Sequence, residues 1–561
     1  MSFKQDLVEG YDPYNGYFQT DSGTHYSSHF WFYSSTAIPA MWFLQAIGQN
    51  ELLALQVTNA LFIIFALYVV LFQSGFSKYK KWLFPAFVLF CPAIWYLGWP
   101  HPEILSYSLV VASIAFFTGK KYPLAVLCAA LASTQNPPII FLMLFALAYG
   151  LADVLRSKQW VRGGLLMASS LPAFAPMIFY YINYGTPNLI FKTGGASCAV
   201  ISFQRTSSFL FDLNQGLLPY LPGILIFFTF LLLRNWKQKE WRIYELALVI
   251  ASMVLLAQTT TNWNSDAEGI MRYGVWMLPL FIWAIIDGSN LAFRTDRIFL
   301  GVILVMQLII VLSFPSWFFA QKIGLSDPSP YVENNRLASY LLDNHPSLYN
   351  PLPEIFLERT LNKEVMYDSS DYLPVIYSKT DGTVTKIMTD RKGLVGLSSY
   401  GDVDAGFLQQ QKDRYRDEDG VYYLNLSRGE MKFTVQEKAL SVFNAEIKVD
   451  DQPGVMMPDT AYQLTVSIKN TGTEAWYSLG KYPIGLSYHL FDQDGNPVKL
   501  ENYRENIRHR VEPGEEITMP IYLTTPDRPG SYLVQFDLVQ ENVGWFEDRG
   551  NNTTVLRIEV R

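Results

Sequence analysis

The stretch LLALQVTNALFIIFALYVVLFQ, residues 52–73, decides the fold class. A bilayer core of ~30 Å needs roughly 20 apolar helical residues to cross it, with about 17 as the usual lower limit. Charges inside such a run are costly, and residues 52–73 carry none. Moved outward, the same ruler marks further spans at 82–98, 104–118, 123–134, 139–155, 163–183, 216–233, 243–258, 273–293 and 298–319, ten in all. Two of these, 104–118 and 123–134, fall short, so each either extends into flanking loop or is partly re-entrant.

The cations give an orientation, because basic loops stay on the cytoplasmic side. Every second connection is basic: Lys78, Lys80 and Lys81; Lys120 and Lys121; Arg156, Lys158 and Arg162; Arg234, Lys237, Lys239 and Arg242; Arg294 and Arg297. The alternate connections at 99–103, 135–138, 184–215 and 259–272 hold few. Ten spans then put the N-terminus, those four loops and the whole C-terminal part outside the cytoplasm of a cell inner (plasma) membrane. Composition agrees. With 50% hydrophobic and 17% charged residues and a mean hydropathy of +0.12, the 561-residue chain is too apolar for an ordinary soluble, disordered or collagenous protein. A net charge of −7 leaves no cation excess for phosphates, which argues against a nucleic-acid partner. Cys91, Cys128 and Cys198 all precede the polar half, so no disulfide framework is available there.

Residues 30–48 are apolar and aromatic, but only Gln49, Asn50 and Glu51 separate them from the next helix. Counting them as a crossing would reverse the charge alternation. They read as an interfacial helix on the outer leaflet, with Trp31, Phe32, Tyr33 and Trp42 at headgroup level. Residues 1–21 are polar, lack a signal-peptide core and yet fall outside, which predicts a transmembrane helix upstream of Met1.

The chain thus divides into an external first loop with its interfacial helix (1–51), a transmembrane bundle (52–319), a periplasmic mixed α/β segment (320–430) and a β-sandwich (431–561). In the mixed segment a helical stretch at 334–344 precedes YNPLPEIFLER and strand-like runs at 373–378 and 384–388. In the last part apolar and polar residues alternate through Tyr462, Leu464, Val466 and Ile468, through Ile484 to Leu490, Ile517 to Leu523 and Tyr532 to Leu538, and again at Leu556, Ile558 and Val560. Period two with turns at Asp494-Gly495, Pro513-Gly514 and Pro529-Gly530 predicts an antiparallel sandwich of immunoglobulin-like size. The expected fold class is therefore an α-helical polytopic membrane bundle, then an extracytoplasmic α+β segment and an immunoglobulin-like β-sandwich.

Polar groups on the external face of the bundle are the candidates for chemistry. Asp21, His25 and His29 lead into the interfacial helix, where His29 is either a headgroup anchor or, by its His-x-x-x-His spacing, half of a zinc pair. In GWPHPEIL, His101 and Glu103 open an apolar helix. Glu103 either favours the helix dipole there or binds a divalent metal or takes a proton from a hydroxyl. In NWNSDAEGIMRY, Asp266, Glu268 and Arg272 stand just before a span, and Arg272 either snorkels to the interface or grips a lipid phosphate in bidentate fashion. The long loop 184–215 carries Lys192, Arg205 and Asp212 and is long enough to close over something.

Taken in order, HFWFYSSTAIPAMWFLQAIG, PHPE, YYINYGTP, NQGLLPYLP and an arginine late in an external loop resemble landmarks of the C-type (GT-C) superfamily of integral-membrane glycosyltransferases. The resemblance is to the bacterial, mannosyltransferase-like branch that uses polyprenyl-phosphate-linked sugars, and it spans nearly all of residues 1–319. LYNPLPEIFLER and the terminal sandwich are similar to a periplasmic extension that some members carry. The resemblance implies an inverting hexosyl- or pentosyl-transferase that moves a sugar from a polyprenyl-phosphate donor to an envelope glycan, lipid or protein. It also implies an acid at the outer end of a first transmembrane helix, and this sequence has no such helix. Glu103 and His101 are then the remaining groups to act on the acceptor, and Lys192, Arg205, Arg272 or a divalent metal, Mg or Mn, would stabilise the leaving phosphate.

Two other readings compete. A transporter or flippase for lipid-linked saccharides predicts polar groups at mid-bilayer and paired broken helices in repeated halves, and no such repeat is legible. A catalytically inactive scaffold would use the sandwich to hold other envelope components.

Overall fold

The computed structural model describes residues 17–20, 24–27, 29–238, 241–263, 269–313, 334–361, 373–379, 382–397, 402–416, 420–426, 429–432, 438–450, 454–458, 460–477, 482–502, 504–507 and 510–561. The chain forms two compact units, Met1–Ser339 with Pro351–Ser369, and Tyr340–Asn350 with Ser370–Arg561.

The first unit is helical. Among the described residues, four of its helices are long and apolar enough to cross a membrane: Glu51–Gln73, Pro137–Ser157, Trp160–Tyr184 and Arg294–Leu312. Each is two-faced in a way that water would penalise. On the first of them Leu61, Ile64, Phe65, Tyr68 and Phe72 form an exposed stripe, while Asn59, Ile63, Ala66 and Val70 are buried. On Arg294–Leu312 the exposed side is Ile298, Val302, Val305, Ile309 and Leu312. An apolar stripe of that size facing outward suits a lipid solvent. Glu103–Thr118 is buried all round, as a helix without a polar face must be. It packs on Ala54–Gln73 and on Tyr122–Ser133, and so forms the centre of the bundle.

Several expected spans are shorter or broken. Residues 82–98 do not make one helix: Lys78–Leu89 stops, Cys91 is extended, and a 3₁₀ turn runs over Pro92–Tyr96. Pro92 explains the break, because it lacks an N–H and drives the preceding residue out of the helical region. Residues 273–293 split into Arg272–Val275 and Leu278–Asp287, the second opened by Pro279. The segment 30–48 is helical, in two pieces, Phe32–Thr36 and Ile38–Ala46. Tyr33, Ala37, Ala40 and Leu44 line its buried side, and Trp31, Trp42 and Phe43 are exposed. The loop 184–215 is not irregular chain: it carries the helices Leu189–Lys192 and Phe203–Phe211, and Ala196 bridges Thr260.

The second unit is β-rich. Ala461–Asn470 lies between Ala445–Val449 and Glu516–Thr524 in one antiparallel sheet. In the other, the strands run in the order Pro497–Lys499, Ile484–Asp492, Gly530–Gln540, Thr554–Val560 and Val455–Met456, the last pair parallel. The register Leu486↔Leu538, Tyr488↔Phe536 and Leu490↔Val534 turns one face apolar, and these residues share a single core with Ile447, Leu464, Val466 and Ile521 of the first sheet. The turn glycines Gly495 and Gly514 have φ of +84° and +86°, which a side chain rarely adopts. A separate three-stranded antiparallel sheet, Val375–Ser378, Val384–Thr389 and Tyr422–Asn425, has its own core of Val384, Ile387, Leu394 and Leu424.

Candidate functional site

The site begins with an amide inside an apolar helix. Asn59 is fully buried on Ala54–Gln73. Its Nδ2 donates to the carbonyls of Leu97 at 3.3 Å and Trp99 at 2.9 Å, and its Oδ1 accepts from the Tyr33 hydroxyl at 3.0 Å. Gln56 Nε2, one turn earlier, donates to the Gly98 carbonyl at 2.9 Å. A loop that would otherwise bury unpaired carbonyls is thereby pinned to the helix.

The pinned loop delivers His101. Its ring stacks on Trp99 with centroids 4.3 Å apart and planes 15° from parallel, and its Nδ1 bonds Glu103 Oε2. Glu103 stands in the first turn of Glu103–Thr118 with only 2% of its surface exposed. A carboxylate taken out of water needs compensation. His101, the N-terminus of its own helix and the charge of Arg272 provide it.

His29 arrives from the first loop, with its ring 6.2 Å from that of His101 and at 76° to it. The residue is exposed. Crowding around the imidazole, then the charges of His101 and Arg272, lower its pKa to about 4 against the pull of Glu103. His29 is thus neutral at pH 7 and offers one donor and one acceptor.

Arg272 is held by aromatic rings. Its Nη2 donates to Tyr273 OH at 2.8 Å, and its guanidinium carbon lies 4.9 Å from that ring's centroid. Tyr273 in turn stacks on Trp263, 5.7 Å away. The approach to Arg272 requires a glycine: Gly269 has φ +93°, and a Cβ there would meet the Trp95 ring at 3.0 Å.

Of the residues marked from sequence, His29, His101, Glu103 and Arg272 come together. Lys192 is exposed, with Nζ donating to the Tyr184 carbonyl at 3.1 Å. Arg205 is buried, and its guanidinium bonds the carbonyls of Gln258 at 3.0 Å and Thr260 at 2.5 Å and Glu354 Oε1 at 3.0 Å. It also lies over Trp263, 5.4 Å from the ring centroid. That placement ties two loops to the segment at Glu354 and leaves the guanidinium engaged within the protein. His25 is on a short strand, His25–Ser27, paired with Tyr17–Gln19, so its surroundings are a hairpin rather than open loop. Asp21, Asp266 and Glu268 lie outside the described residues. Sequence reasoning missed Asn59, Trp99 and Tyr273; an amide in the middle of an apolar span was the available signal for the first.

Among the described residues, the one cluster with three possible ligand atoms within 4.8 Å of one another is His489, Asp537 and Glu547, in the second unit. Register explains it, since His489 faces Gln535 and Asp537 follows two residues on, both on the outer face of the strand pair.

No family model matches the chain, and no curated protein matches it. Likeness to solved structures covers about a quarter of the chain or less in each of three cases. The CARDB domain of PF1109 from Pyrococcus furiosus is 21% identical, over 21% of this chain and 92% of that one, with a TM-score of 0.15. A β-glucosidase from Listeria innocua is 21% identical, over 21% of this chain and 16% of its own length, with a TM-score of 0.15. The PapD-like domain 7 of human CEP192 is 13% identical, over 23% of this chain and 92% of that domain, with a TM-score of 0.14. At those scores none of the three carries a functional argument.

Proposed function

We propose that the chain is a membrane glycosyltransferase that moves a sugar from a polyprenyl-phosphate-linked donor to an envelope acceptor on the periplasmic side, with the β-rich part as an immunoglobulin-like periplasmic extension. The observation that carries this reading is the His101–Glu103 pair at the mouth of the central helix, within the field of Arg272. Glu103 holds the Nδ1–H of His101, which leaves Nε2 as an acceptor. The acceptor hydroxyl gives its proton to Nε2 as its oxygen attacks the anomeric carbon. The bond from that carbon to the phosphate oxygen breaks, and polyprenyl phosphate departs with the electron pair. A single in-line attack inverts the anomeric configuration. Arg272 takes up the charge that builds on the phosphate. Its aromatic seat lets it do so without a large loss of side-chain freedom. An embedded site suits a donor whose lipid tail keeps it in the bilayer.

The test is release of polyprenyl phosphate, and label transfer, by membranes holding the full chain and a radiolabelled lipid-linked sugar. His101→Ala and Glu103→Gln should each lower transfer by about 10²–10⁴-fold, and Arg272→Lys by at least about tenfold. Undiminished transfer by His101→Ala would remove the assignment of the base. Absence of turnover with every lipid-linked donor tried would favour the scaffold reading.

A further inference from the structure

The small sheet of the second unit encloses a cavity of about 310 Å³, lined by Asn350, Gln411, Arg414, Tyr415, Tyr423 and Asn425 among others. Beneath it lies Lys386, on the central strand Val384–Thr389 and wholly buried. Its Nζ donates to the Pro346 carbonyl at 2.7 Å, to Asn350 Oδ1 at 2.7 Å and to Asn425 Oδ1. An ammonium has three donors and no acceptor, so all three are spent. The consequence falls on the two asparagines. Each must turn its oxygen to Lys386, which leaves the amide hydrogens of Asn350 and Asn425 as the groups offered to the cavity.

Gln411 adds an independent sign. It lines the same cavity with 9% of its surface exposed, and among the described residues its side chain has no hydrogen-bond partner. Its amide is open to the cavity, where it can meet the polar groups of a ligand. Arg414 stands exposed at the rim with its guanidinium carbon 5.3 Å from the Tyr415 ring centroid. Among the described residues, no carboxylate lines the cavity.

The lining is therefore rich in donors, carries a cation, and is walled in part by rings. An inorganic anion would leave most of such a volume empty, whereas one pyranose ring fits it. We propose that this cavity binds a single sugar ring bearing a carboxylate, with the carboxylate at Arg414 and the asparagine amides and the ring hydroxyls sharing Gln411. This inference does not rest on the transfer reading, since none of its residues belongs to the His101 site.

The test is calorimetric titration of the detergent-solubilised full chain with D-glucuronate, D-glucose and inorganic phosphate. Glucuronate should saturate at one site per chain, with glucose and phosphate each at least about tenfold weaker. Arg414→Ala, a change at an exposed residue, should weaken glucuronate about tenfold, and Gln411→Leu about fivefold or more. Three results would overturn the proposal: no saturable binding of glucuronate, binding of glucose or phosphate as tight as that of glucuronate, or affinity for glucuronate unchanged in both variants.

Discussion

Glu103 and Lys386 are both buried ionisable groups, one at the end of a helix in the first unit and the other inside a sheet in the second, and they are compensated in opposite ways. Glu103 faces the charge of Arg272, with the ring of His101 bonded to it. Lys386 faces neutral groups, the oxygens of Pro346, Asn350 and Asn425 and the ring of Tyr423. An opposite charge fixes the state of its partner. Dipoles solvate a charge without fixing it, so the state of Lys386 stays open to pH. The same contrast separates the proposed chemistry from the proposed recognition. A His–carboxylate pair beside an arginine can move a proton and hold a phosphate, whereas amides oriented by an ammonium can only bind.

The largest effect expected from this contrast lies at Arg205, a second buried charge in the first unit that is compensated by charge. Arg205→Met strands Glu354, whose carboxyl burial already pushes up against the pull of Arg205. Loss of one member of a buried pair costs about 3–5 kcal/mol. The deficit should grow with pH, because neutral glutamic acid tolerates burial and the carboxylate does not. Denaturant unfolding of the full chain in detergent at several pH values measures it, and a cost under about 1 kcal/mol would break the contrast.

A smaller effect is expected where dipoles do the holding. Asn59→Leu orphans the carbonyl of Leu97 and takes from that of Trp99 one of its two donors, the other being the His101 N–H, at about 1–3 kcal/mol. It should also lower transfer more than it lowers stability, since Trp99 carries the ring of His101. Comparing turnover with unfolding midpoint in one preparation separates the two.

The smallest effect sharpens the other half of the comparison. Burial pushes Lys386 down to about 7. A lysine whose folded pKa is lowered binds fewer protons folded than unfolded between the two values. Stability of the second unit should then rise with pH from about 7 toward the unfolded value of about 10.4. Lys386→Met should flatten that slope, as followed by the urea midpoint. A slope that persists in Lys386→Met would assign it to another group.

Hydropathy along the chain was enough to mark the helical half and to place His101, Glu103 and Arg272 as candidates, because the cost of burying a charge is paid residue by residue and shows in the local sequence. Period-two alternation likewise foretold the long strands, such as Ile484–Asp492 against Gly530–Gln540. Helix continuity was less legible. Residues 82–98 look uniform in hydropathy, and the break rests on backbone geometry at Cys91 and Pro92 rather than on polarity.

What the tertiary structure alone decided is which of the distant polar groups meet. Arg205 and Arg272 look alike in sequence, each a cation in a loop expected outside, yet one is enclosed by Gln258, Thr260 and Glu354 and the other faces His29 and Glu103. Asn59 reads as a single amide in an apolar run, and only packing shows it fastening the loop that carries Trp99. The reason is physical. Burial preference and backbone period are properties of neighbouring residues, whereas partners tens or hundreds of positions apart are chosen by how helices and sheets fill space against one another.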